Sequence, residues 1–191
     1  FYNPGPSQVT ITMMNNVTCA PGANVGVTVG GYTTLNLNGK LLRGPGANTG
    51  VVLIGYNPKI IGPGTVDYFT TGIEIKATTG GTPTVSGLTA RRASSFNIKV
   101  ATTNTPGILI NDVRASLSLN GSGIRCNDAC TIQNSDIVEN EVDGLQCVNA
   151  ICTTYSNNYV GDFANQSNDI DANNSNVYQF QSCPHDINAI F

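Results

Sequence analysis

The chain contains no tryptophan and one histidine, and only 11% of its 191 residues are charged. That is less than half the quarter usual for soluble domains. Nine Lys and Arg against twelve Asp and Glu give a net charge of −3, and no basic run occurs. Neutralising a phosphate backbone takes clustered cations, so nucleic acid and anionic membranes are not expected as partners. No apolar stretch reaches the roughly 18 residues that cross a bilayer as a helix. No apolar stripe with a 3.6-residue period is long enough for a helical bundle. Dinucleotide-binding and P-loop patterns are missing too. The first residue is Phe1 and not Met, so the sequence reads as already processed. Six cysteines in a chain this poor in Lys and Glu suggest an exported, oxidised protein, secreted or held at the cell surface.

What the chain has instead is turn chemistry: 21 glycines and 24 asparagines beside 40% hydrophobic residues. Gly and Asn tolerate positive φ, so many tight turns are expected around one core of ordinary domain size. One short phrase recurs, a small or turn residue followed by apolar–variable–apolar. It begins at Gly26, Gly50, Gly72, Asn97, Gly123, Gly144 and, in degenerate form, Asp169. The offsets are 24, 22, 25, 26, 21 and 25 residues, seven rungs with a mean period of roughly 24. Two more short strands keep the same beat, as in Lys59-Ile60-Ile61 and Thr65-Val66-Asp67, or Thr131-Ile132-Gln133 and Ile137-Val138-Glu139. Three strands per period are too few for a propeller blade, which needs about 40 residues. They fit one coil of a parallel β-solenoid, each coil about 4.8 Å above the last. The inward columns are then Val27/Val51/Ile73/Ile98/Ile124/Leu145/Ile170 and Val29/Leu53/Ile75/Val100/Cys126/Cys147/Ala172, with Asn columns bonding their amides along the stack at the turns.

The segments Thr34-Leu35-Asn36-Leu37-Asn38-Gly39-Lys40-Leu41-Leu42-Arg43-Gly44-Pro45-Gly46 and Cys130-Thr131-Ile132-Gln133-Asn134-Ser135-Asp136-Ile137-Val138-Glu139-Asn140 carry a family resemblance. They resemble coils of right-handed parallel β-helix proteins of the pectin-lyase-like type. The resemblance covers roughly residues 9–180. With the crossover rule it implies an all-β, right-handed parallel β-helix of about seven to eight coils, three short strands per coil. Residues 1–8 read as an N-terminal extended arm and 181–191 as a C-terminal tail. The superfamily spans lyases, hydrolases, epimerases, tailspikes and adhesins, so fold alone does not choose a function.

In that family carbohydrate chemistry usually sits on the outer face of one sheet. The outward column of the repeated phrase is Thr28, Val52, Glu74, Lys99, Arg125, Gln146 and Asp171. A lyase needs a base and a cation that neutralises a uronate carboxylate. Lys99 or Arg125 would be the base and Glu74 a metal ligand, and the competing reading is a plain ion-pair ladder. The polygalacturonase set of Asn-Thr-Asp, Asp-Asp, Gly-His-Gly and Arg-Ile-Lys is missing. The alginate-epimerase signature resembles Asp-Pro-His-Asp/Glu, and Cys183-Pro184-His185-Asp186 shares three of its letters. Enzyme activity, if present, would be that of a polysaccharide lyase or epimerase. No cofactor or resident metal is expected. Asn168-Asp169-Ile170-Asp171-Ala172-Asn173 resembles a calcium loop, yet lacks its glycine at position 6 and its closing glutamate. The sequons at Asn16, Asn120, Asn165 and Asn173 are no more than chance supplies in so Asn-rich a chain.

Cys126 and Cys130 frame one turn and Cys147 and Cys152 the stacked next one. Bonds within each turn are the favoured arrangement, with bonds between rungs and free buried thiols as alternatives. Cys19 and Cys183 remain, seven rungs and roughly 30 Å apart, beyond disulfide reach. With no amphipathic helix to cap either end, Cys19, Cys183, Phe1, Tyr2 and Phe191 become candidates for a contact between molecules. The leading functional expectation is an exported structural solenoid that self-associates head to tail into a fibre or surface layer. The alternatives are a polysaccharide-binding or polysaccharide-active protein, and the shaft of a tailspike or adhesin.

Overall fold

A computed structural model describes residues 7–22, 24–101, 107–157, 170–173, 176–180 and 187–190, with the backbone alone at 77–79, 173, 176–180 and 187–190. Among these residues there are strands and turns and no helix. The first coil is β1 (Val9–Thr12), β2 (Val17–Thr18) and β3 (Val25–Val29). The second is β4 (Thr33–Asn36), β5 (Lys40–Arg43) and β6 (Thr49–Tyr56), and the third β7 (Lys59–Ile61), β8 (Gly64–Asp67) and β9 (Thr71–Gly80). Then come β10 (Thr84–Ser86), β11 (Thr89–Arg91) and β12 (Phe96–Val100); β13 (Ile108–Asn111), β14 (Arg114–Ser116) and β15 (Ser122–Cys126); and β16 (Cys130–Gln133), β17 (Asp136–Val138) and β18 (Leu145–Val148). Six coils thus carry three described strands each. The seventh contributes β19 (Ile151–Tyr155) and β20 (Ile170–Asn173), and the eighth β21 (Asn176–Phe180) and β22 (Ile187–Ile190).

Each strand pairs in parallel with its counterpart one coil away, building three sheets of eight, six and eight strands. The register is the one the repeat predicts. Val27, Val51, Ile73, Ile98, Ile124, Leu145 and Ile170 are successive partners in the third sheet. A one-residue slip would turn this column into solvent, so the apolar phrase fixes the register rung by rung. The first sheet adds Leu35, Ile60, Val85, Ile110 and Ile132, and the second Leu42, Val66, Ala90, Ala115 and Ile137, all buried. Three walls therefore close on one continuous apolar core.

Corners turn on residues held at positive φ. Asp112, Asn134 and Ser156 occupy equivalent places between the first and second sheets, as does Gly87. A second such column at the end of the second sheet is Tyr68, Arg92, Leu117 and Glu139. The expected amide stacking is present at the first corner, where Asn134 Nδ2 and Gln133 Nε2 each donate to Asn111 Oδ1 at 2.9 Å. Buried amides hold the corner between the second and third sheets. Asn97 of the fourth coil and Asn140 of the sixth reach into the fifth from opposite sides, and Asn97 Nδ2 donates to Asn140 Oδ1 at 3.1 Å. Strand β22 pairs with β20 and extends the third sheet by one more strand. Its sequence, Ile187-Asn188-Ala189-Ile190, repeats the phrase Ile170-Asp171-Ala172-Asn173, which is the physical reason it joins the sheet.

Candidate functional site

The column Glu74, Lys99, Arg125, Gln146 and Asp171 stands in register on the outer face of the third sheet. Glu74 pairs with Lys99 at 3.4 Å and with Lys76 at 3.2 Å. Arg125 instead donates from Nε to Asn127 Oδ1 at 2.9 Å, and its guanidinium lies 5.2 Å from the centre of the Phe96 ring. Gln146 Nε2 donates to Asp171 Oδ2 at 3.4 Å, which engages the one described carboxylate of the calcium-like segment. The three predicted residues are thus adjacent, with their charges already engaged along the rungs. Pairs this exposed contribute about 0–1 kcal/mol each.

A concave surface lies elsewhere among the described residues. A groove of about 490 Å³ follows the corner between the first and second sheets across coils two to six. Four rung intervals make it about 19 Å long. Its floor is the first outward row of the second sheet, Thr65, Thr89, Arg114 and Asp136, flanked by Gly39, Gly64, Gly87, Asp112 and Asn134 at the corner. Part of the space comes from Gly39 and Gly87, which stand at the corner position where the third coil has Pro63 and the fifth and sixth have Asp112 and Asn134. A Cβ on Gly39 would meet nothing within 4 Å, and one on Gly87 nothing nearer than 3.7 Å. Towards the later coils the groove gains polar groups. Arg114 bridges Asp136 at 3.7 Å and Glu139 at 3.3 Å.

The next outward row of the same strands is Arg43, Asp67, Arg91 and Ser116. Asp67 points outward yet is buried, because arginines close over it. Arg92 grips it with two parallel hydrogen bonds, Nε to Oδ1 at 2.7 Å and Nη2 to Oδ2. Arg91 Nε stands 3.4 Å from Oδ1 as an ion pair without hydrogen-bond geometry. The bond to Asp67 holds the Arg92 guanidinium above its ordinary pKa, so it stays charged. Arg43 lies 5.8 Å from the centre of the exposed Tyr68 ring. The outer surface of the second sheet therefore carries two guanidinium groups, those of Arg91 and Arg92, held on one buried carboxylate.

Cys126–Cys130 and Cys147–Cys152 are disulfides, each closing a corner from the third sheet to the first. Cys19 is the free cysteine among the described residues. It is half-buried against the core, and burial pushes its thiol above the ordinary cysteine range. Phe1, Tyr2, Cys183, Phe191 and the Cys183-Pro184-His185-Asp186 segment lie outside the described residues. Sequence reasoning missed the groove, although its signal was present. The same corner position reads Gly87, Asp112, Asn134 in successive coils, and the floor reads Thr65, Thr89, Arg114, Asp136.

No protein-family model and no curated protein sequence matches the chain. Among solved structures the chain is similar to the crystal structure of a variant of the periplasmic alginate epimerase AlgG. The TM-score is 0.65 at 8% sequence identity, over 91% of this chain and 47% of the epimerase. The chain spans about half the length of that enzyme, and the likeness is one of fold.

Proposed function

We propose that the protein binds a polysaccharide chain laid along the solenoid axis in the groove between the first and second sheets. One observation carries this reading: the groove crosses five coils without interruption, and polar side chains line it. A rod-like polymer whose units repeat on the scale of the rungs can meet the corresponding position on each successive coil. Carboxylate, amide, hydroxyl and guanidinium groups supply the fixed donors and acceptors that sugar hydroxyls require. The solenoid neighbour acts on alginate, a polysaccharide, which agrees with this choice. Two disulfides and a periplasmic neighbour support an exported location.

The test is glycan-array screening followed by calorimetry on the best polymer. Thr89→Trp fills the groove from an outward position and should weaken binding at least tenfold, about 1.4 kcal/mol, with the circular dichroism unchanged. Unaltered affinity in Thr89→Trp, with a loss in Lys99→Ala, would move the site to the Glu74–Lys99–Arg125 face. Product analysis with polyuronates then separates binding from lyase or epimerase activity.

Head-to-tail self-association is a second reading with one observation in its favour. Val9, Ile11 and Val17, on the outermost described strands, and Met14 between those strands are exposed. Sedimentation velocity over a concentration series tests it, and a species that stays monomeric throughout removes it.

A further inference from the structure

We propose that Cys126, Cys130, Cys147 and Cys152, once reduced, form a tetrathiolate site for a soft divalent metal ion, with zinc the natural occupant. Three residues separate Cys126 from Cys130 and four separate Cys147 from Cys152. Both spacings fall in the range of paired thiolate ligands in structural zinc sites. The solenoid then does what a zinc domain does with a fold of its own and brings the two pairs together. Cys126 is the partner of Cys147 in the third sheet, and Cys130 the partner of Cys152 in the first.

Three of the four sulfurs already stand at the spacing of a metal site, and Cys147 Sγ has to swing in to join them once its disulfide opens. The Sγ atoms of Cys126, Cys130 and Cys152 all lie within 4.8 Å of one another, and Cys147 is bonded to Cys152. Cys130 Sγ and Cys152 Sγ, which belong to different disulfides, stand 3.7 Å apart. A tetrahedral zinc with Zn–S distances of about 2.3 Å has S–S edges of about 3.8 Å. That edge between the two pairs is therefore set by the rung spacing before any metal arrives. All four residues are buried, which suits a closed site without a water ligand. Sulfur replaces aliphatic side chains in these two coils alone, since the third-sheet column reads Val100 before Cys126 and Ala172 after Cys147.

Two equivalents of a dithiol reductant deliver four electrons and four protons to the two disulfides and leave as cyclic disulfides. The four thiols then release four protons to solvent as they bind one divalent ion. Disulfide and metal forms use the same sulfurs and exclude one another, so metal occupancy reports the redox state.

The experiment uses the full chain carrying Cys19→Ser and Cys183→Ser, reduced anaerobically with a dithiol and freed of it by gel filtration. Titration with Co²⁺ should give one ion per chain, with the charge-transfer and ligand-field bands of tetrahedral tetrathiolate cobalt, and Zn²⁺ should displace it at one equivalent. The β-sheet circular dichroism should be present in the loaded form, its melting temperature should exceed that of the metal-free reduced chain, and the oxidised chain should bind no metal. Cys130→Ser should abolish the four-sulfur spectrum. A reduced chain without those bands overturns the proposal. So does binding by a chain whose β-sheet signal is lost and not restored by the metal, or an unchanged spectrum in Cys130→Ser.

Discussion

Replacing Asn140 by alanine is the sharpest test of how this solenoid keeps its corners. Asn140 is fully buried. Its Oδ1 accepts from Asn97 Nδ2 at 3.1 Å and from Ser118 N at 3.2 Å, and its Nδ2 donates to Ala115 O at 3.1 Å. Asn97 keeps its own bond to Ser116 O after the change. Ser118 N–H and Ala115 C=O lose this partner at a place water does not reach. Each buried group left unsatisfied costs about 1–3 kcal/mol, so Asn140→Ala should destabilise by about 2–6 kcal/mol. That is a large share of the roughly 5–15 kcal/mol holding an ordinary domain. Asn140→Asp separates the two halves of the effect. It keeps both acceptor bonds but loses the donor to Ala115 O and buries a charge, so its deficit should shrink as pH falls and the acid becomes a donor. Urea unfolding followed by circular dichroism gives the energies, and hydrogen exchange at the Ser118 amide gives the location. A loss below about 1 kcal/mol with Ser118 still protected would refute the view that this amide holds the fifth coil.

Thr154 sits in the first-sheet core column, opposite Ile132, and its hydroxyl finds no hydrogen-bond partner among the described residues. Thr154→Val should therefore raise stability by about 1 kcal/mol in the same urea assay, because it removes a buried polar group at constant shape. Ile98→Ala, in the centre of the third-sheet column, should cost about 2–5 kcal/mol by the same measurement. Burial raises the Cys19 thiol pKa in the folded chain, so this contribution to stability is complete below the unfolded pKa and is lost as pH rises through the folded one. Iodoacetamide labelling at Cys19, read by peptide mapping, should be slow near neutrality and accelerate in denaturant. Arg114→Ala removes two exposed ion pairs and should change stability by less than about 1 kcal/mol while weakening glycan binding.

The inside of this molecule could be read from its sequence and much of the outside could not, for a physical reason. Columns such as Val51/Ile73/Ile98/Ile124 recur because every rung buries the same position, and burial admits few residue types. The phrase at Gly72, Asn97 and Gly123 therefore fixed the register and the stacking of Cys126 on Cys147 without any distance being known. The ion-pair ladder of Glu74 and Lys99 was equally legible, because outward residues of that phrase inherit its register. The groove obeys no such rule. It arises where side chains are missing, at Gly39 and Gly87, and a missing side chain leaves a turn signal that looks like every other Gly or Asn in the chain. Its polar end, Asp112, Arg114, Asn134 and Asp136, comes from strands and corners whose outward residues vary freely from coil to coil. In a solenoid the repeating positions are committed to packing, and recognition is carried by departures from the repeat. Asp112 and Asn134 at a corner occupied by glycine in an earlier coil are such departures, as are Cys126 and Cys147 in a column otherwise filled by aliphatic residues. Both were visible as breaks in the pattern, and only the stacking of coils brings the members of each break together.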